Sequence, residues 1–121
     1  MELTLEAFRA IQWQRNQFEV AERDSVCISL VVSDLKIEGK QLQTVRFAFP
    51  QPSSERAMLW DADTNTWIEH PDLIAPIGRS IVGAFVKPSH TGLLLSFAGH
   101  HALGWSRWGF TAQRILVTYE A

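Results

Sequence analysis

The spacing of apolar residues changes period along this chain. Leu5, Phe8 and Ile11 recur at helical spacing behind Thr4, a residue type that caps helices, and Glu6 falls in the first turn, where the helix dipole favours an anion. The pattern predicts a helix from Thr4 to about Arg15. Beyond Trp13 the period shortens, and Phe18 and Val20 alternate as in a strand. Val26, Ile28, Leu30 and Val32 then alternate, while Leu35 and Ile37 continue on the other parity. That slip at Ser33-Asp34 predicts a bulge. Glu38-Gly39-Lys40 reads as a hairpin turn into a strand with Val45, Phe47 and Phe49 on one face. Pro50 and Pro52 end it, because neither donates to a ladder.

Two short strands, Ala57 to Trp60 and Thr66 to His70, flank the polar run Asp61-Ala62-Asp63-Thr64-Asn65. Ser80 to Lys87 and Leu93 to Ala98 read as strands apolar on both faces, which places them at a sheet centre. A last strand from about Phe110 to Tyr119 alternates Ile115, Val117 and Tyr119 against polar neighbours. Six of the seven glycines lie in this final third, where they permit strong coiling or the close approach of a ligand. The expected fold class is therefore α+β: an N-terminal helix packed on a strongly curled antiparallel sheet of about seven strands, as a partly open barrel or a sandwich. No linker or repeat divides residues 1–121, so one domain is expected.

The segment LWDADTNTWIEHP resembles the last hairpin of a kelch repeat, with the same D-x-x-T-N-x-W order from Asp61 to Trp67. The likeness covers about a dozen residues, occurs once and lacks the family's glycine pair. A propeller needs four or more blades, and the chain is too short for that. The resemblance implies only a tight hairpin whose Trp67 packs inward.

At 46% apolar and 20% charged residues, the composition is that of a globular protein. A net charge of −2 gives no support to general polyanion binding, so nucleic acid is an unfavoured partner. The N-terminus has no basic start followed by an apolar core, and no apolar run approaches the ~20 residues of a membrane helix, so a cytoplasmic protein without membrane contact is expected. The single cysteine, Cys27, excludes an internal disulfide. Charge is unevenly spread: Asp61, Asp63, Glu69 and Asp72 occur without an intervening cation, whereas Leu73 to Tyr119 holds no Asp or Glu but carries Arg79, Lys87, Arg107 and Arg114.

Catalytic and metal chemistry find little support in the residues. The Asp61-x-Asp63-x-Asn65 spacing is that of a calcium loop, but Thr66 stands where the loop needs glycine and Pro71 and Pro76 break the following helix. It reads instead as a polar turn in which Asp and Asn bond their own backbone. His100 and His101 are adjacent and would face opposite sides of a strand, so no metal site is assigned. GWSRWG is one residue longer than a serine nucleophile elbow, and strand signals rather than a helix follow it. No cofactor is implied, and the chain leans away from being an enzyme.

Binding is the stronger class. Gly104-Trp105-Ser106-Arg107-Trp108-Gly109 sets two tryptophans around an arginine, pairing flat apolar area with directed polar contacts. If extended, Trp105 and Arg107 share one face and Ser106 and Trp108 the other. The expected function is non-catalytic binding of a small amphipathic or anionic ligand in a curled-sheet pocket, by a homo-oligomer. Trp105, Arg107 and Trp108 are the expected contacts, with His101 as a hydrogen-bond partner. The alternative is a protein-interaction or regulatory adaptor that uses the same residues as an interface.

Overall fold

In the computed structural model, which describes residues 1–13, 18–24, 26–69, 80–101 and 104–120, the period-two segments form ten strands. In chain order these are β1 (Glu2–Leu3), β2 (Phe18–Arg23), β3 (Cys27–Ile37), β4 (Lys40–Pro50), β5 (Ser53–Asp61), β6 (Thr66–Glu69), β7 (Ser80–Ser89), β8 (Gly92–His101), β9 (Gly104–Ala112) and β10 (Ile115–Glu120). They make two antiparallel five-stranded sheets, β1-β10-β4-β3-β2 and β6-β5-β9-β8-β7, here called A and B. The antiparallel, strand-rich reading holds, but the described residues form ten strands rather than about seven. The single strongly curled sheet does not form, because the run expected as one C-terminal strand is cut at Gln113-Arg114 into β9 and β10, which belong to different sheets. The sandwich is thus the alternative that the chain adopts.

The sheets join through a bent two-stranded ribbon. Strand β4 continues into β5 past Pro50-Gln51-Pro52, and β9 into β10 past Gln113-Arg114, so both cross between sheets side by side. Leu116 pairs with Ala48 in sheet A and Thr111 with Ser53 in sheet B, which is one unbroken register around the corner. The Gln113 amide donates to the Pro50 carbonyl at 3.3 Å within the bend. Gln51 takes φ 52 there, and the two prolines bring no amide hydrogen that the corner would have to satisfy. Past the bend the register shifts between Ser53 and Arg56, a bulge of the kind that re-aims a strand.

Alternate residues of both sheets meet between them. Ile28, Leu30, Val45, Phe47 and Phe49 from sheet A and Ala57, Leu95, Phe97 and Phe110 from sheet B are essentially sealed from solvent. Phe49 contacts Phe110 at 5.1 Å between centroids and Phe97 at 6.0 Å. Burying each such ring contributes roughly 1.5–3 kcal/mol. These side chains form one cluster between the two sheets.

Helix α1 (Leu5–Arg9) is shorter than the period suggests. Thr4 does cap it, its Oγ1 accepting from the Ala7 amide at 3.1 Å, and Glu6 lies in the first turn. The helix ends at Ala10, beyond which Ile11 is buried and Trp13 packs its ring 5.9 Å from Phe47 and 6.1 Å from Phe97. Phe8 spans both sheets, edge-on to Phe47 and to Phe97. Packing across the gap between sheets therefore overrides local helix propensity. The Arg9 guanidinium donates twice to the Val86 carbonyl, at 3.2 and 3.0 Å, tying α1 to β7.

Three further expectations are corrected. At Asp34 (φ 54) strands β3 and β4 both turn over, so Val32 and Leu35 are each buried while the register stays unbroken; the parity slip marks a paired kink rather than a bulge. Strand β7 is an edge of sheet B rather than central, and its second apolar face exposes Phe85 to solvent at 56%. Trp67 does not join the core: it pairs with Trp60 on edge strand β6, on the outer face of sheet B.

Candidate functional site

The tryptophan–arginine segment is extended within β9, so its side chains divide between the two faces of sheet B. Ala57 pairs with Trp108 on the inner face, whereas Met58 pairs with Arg107 on the outer one. Trp108 is 2% exposed and packs on Phe97 and Phe110 at 5.8 and 5.2 Å. Its indole Nε1 donates to Glu55 Oε2 at 2.8 Å, so the one polar atom of the ring is satisfied. Ser106, fully buried beside it, donates to the Gly99 carbonyl at 3.2 Å. Trp108 is therefore part of the core cluster.

Arg107 is exposed and lies over the Trp67 ring, 5.4 Å from its centroid. Trp67 in turn stands edge-on to Trp60 at 5.3 Å. Trp105 is half-buried, two residues from Arg107 on the same face. The structure thus keeps Trp105 and Arg107 together and separates them from Trp108. His101 pairs through its backbone with Gly104 at the end of the β8–β9 hairpin, and its side chain lies outside what the structure describes. The paired histidines His100 and His101, the acidic Asp72, and Arg79 also carry expectations that fall outside the described side chains.

Arg107 borders a groove of about 300 Å3 on the outer face. Strand β5 supplies one wall with Ser54, Arg56 and Met58, and β7 the other with Phe85 and Lys87. Leu94 and Ser96 of β8 and Gly109 of β9 form the floor. The depth comes from two small residues paired at the sheet centre, Ser96 and Gly109, with Arg56 of the wall opposite Gly109. At Gly109 a side chain would start 3.0 Å from the Leu95 carbonyl oxygen, so the backbones approach where only hydrogen fits easily. Arg56, Lys87 and Arg107 give the groove three cations, and the described lining holds no Asp, Glu, His or Cys. Glu69, paired with Arg56 at 3.3 Å, sits just outside; both side chains are more than half exposed, so the pair contributes little to stability.

A second depression of about 340 Å3 lies on the outer face of sheet A, between Val31, Thr44, Arg46, Thr118 and Tyr119. It offers one cation and no apolar wall comparable to Phe85 and Leu94. Among the described residues no group of three or more His, Cys, Asp or Glu side chains comes together as a metal site. The Asp61–Thr66 turn is held by its own bonds: Asp61 Oδ1 accepts from the Asp63 amide at 3.0 Å, and the Thr64 and Thr66 hydroxyls meet at 2.7 Å.

Of the groove's residues, the sequence pattern singles out Arg107 beside Gly109 and sets Lys87 among the cations of the acid-free stretch, but it does not mark Arg56, Met58 or Phe85 as their neighbours. Their separate strands are brought together only by the order β5-β9-β8-β7. The one available signal was Phe85, an aromatic on what proves to be the open face of an edge strand. No helix among the described residues is long and apolar enough to cross a membrane. No protein-family model matches the chain, and no curated protein or solved structure matches it.

Proposed function

We propose that this protein is a non-catalytic binding module that holds a small amphipathic anion in the outer groove of sheet B. The reading rests on one observation: three cations surround a trough whose walls and floor carry Phe85, Met58 and Leu94, with no carboxylate among its described lining. An anionic head pairs with Arg56, Arg107 or Lys87, and its apolar body covers Phe85 and Leu94. Arg107 already spreads its guanidinium over Trp67 and can keep that contact while accepting an anion edge-on.

Titration with dodecanoate, followed by tryptophan fluorescence, tests this. Saturable binding is expected, with dodecyltrimethylammonium failing to compete and Lys87→Glu/Arg107→Glu weakening it by about tenfold or more. Equal binding of the cationic amphiphile, or no change in the double variant, overturns the reading.

A further inference from the structure

The groove and the tip of the β5–β6 hairpin bear opposite charge and belong to the same sheet. Asp61 and the exposed Asp63 form an acidic turn, fixed by the Asp61–Asp63 bond and backed by the directly opposed Trp60 and Trp67. A turn already held in shape loses little freedom when it docks. Along β5, Asp61 lies five residues beyond Arg56, roughly 17 Å at the rise of a strand.

From this arrangement we infer that a second copy of the chain occupies the groove, each copy placing its Asp61–Asn65 turn against Arg56 and Lys87 of the other. The inference rests on the proposed function for the groove's preference for anions, and makes Asp63 the resident carboxylate that a small ligand displaces. Turn and groove lie on one sheet, so a two-fold axis passing near Met58 exchanges both contacts at once and the pair closes without growing into a fibre. The same contact covers Phe85 and Trp60, exposed at 56% and 37% in the single chain, where large apolar side chains beside charge mark an association surface.

Charge exchange tests this in sedimentation velocity over a range of protein and salt concentrations. The native chain is expected to dimerise, more weakly as salt rises. Asp61→Asn/Asp63→Lys, which keeps the acceptor that shapes the turn, and Arg56→Glu/Lys87→Glu are each expected to lose about tenfold or more in self-association. An equimolar mixture of the two is expected to recover it, since both exchanged contacts then join opposite charges. Melting curves establish that both variants fold. A native chain that stays monomeric, variants that dimerise as well as the native chain, or a mixture that does not associate overturns the inference. A monomer that still binds dodecanoate refutes the dimer and spares the proposed function; a dimer obeying the charge exchange without binding dodecanoate does the reverse.

Discussion

The indole of Trp108 donates a 2.8 Å hydrogen bond to Glu55 Oε2 from inside the core, while Arg107, one residue earlier, covers Trp67 outside it. The carboxylate lets a tryptophan sit among Phe97 and Phe110 without an unpaired N–H, and none of the described buried side-chain polar atoms lacks a partner. Glu55→Gln retains an acceptor and should cost about 0.5–1.5 kcal/mol. Glu55→Ala strands the indole N–H and should cost about 1.5–3 kcal/mol, or more through its other contacts. Urea unfolding of both variants checks the order; an Ala variant as stable as the Gln variant would show that the bond does not hold Trp108.

The two tryptophans of β9 should answer differently to truncation. Trp108→Ala empties a buried site and should destabilise by about 3–5 kcal/mol. Trp105→Ala, on the outer face, should cost about 1 kcal/mol or less. Equal losses in chemical denaturation would contradict the division of faces.

Glycine is required at one hairpin and dispensable at an edge. Gly92 (φ 137) closes the His90-Thr91 turn, and a Cβ there would collide with the Ala112 carbonyl. Gly92→Ala should lose about 2–4 kcal/mol through strain and overpacking. At Gly83 nothing lies within 4 Å of an added Cβ, so Gly83→Ala should stay within about 0.5 kcal/mol of the native chain. Thermal melts of the pair decide it.

At the β3–β4 turn, Glu38 takes φ 50 and Gly39 φ 82 in a two-residue connection. Asn tolerates that left-handed conformation better than Glu. Glu38→Asn should therefore raise stability by about 0.5 kcal/mol, visible as a higher urea midpoint at constant slope.

Arg9 connects the helix to the edge of sheet B through the Val86 carbonyl. Arg9→Met keeps most of the side-chain stem but removes both donors, and should cost about 1–2 kcal/mol. It also bares an edge carbonyl on β7, so light scattering on heating should begin earlier than in the native chain.

Several elements were legible because their signals are local. Thr4 and Glu6 mark a helix start by capping and dipole, and Gly39 marks a hairpin by its φ. The alternation of Ile28 to Val32 and of Val45 to Phe49 assigns a buried face by the pleat alone. The helix end, the Asp34 kink and the edge position of β7 depend on what packs against them. Trp67 stands outside because it pairs with Trp60 on the face of sheet B turned away from the core. For the site, sequence spacing placed Trp105 and Arg107 on one face, yet it could not join Arg107 to Lys87 or Phe85 on a strand two positions across the sheet.

Period, turn chemistry and charge act over a few neighbouring residues, so antiparallel strands behind a capped helix, and an acid-free stretch from Leu73 to Tyr119 that carries cations, are legible without the fold. No local signal sets the corner at which β9 and β10 part, the inward face of Trp108, or the ring of Arg56, Lys87 and Arg107 about one groove. Those outcomes depend on which strands pair and which of their two faces a second sheet covers, and that choice is made by the packing of the whole core.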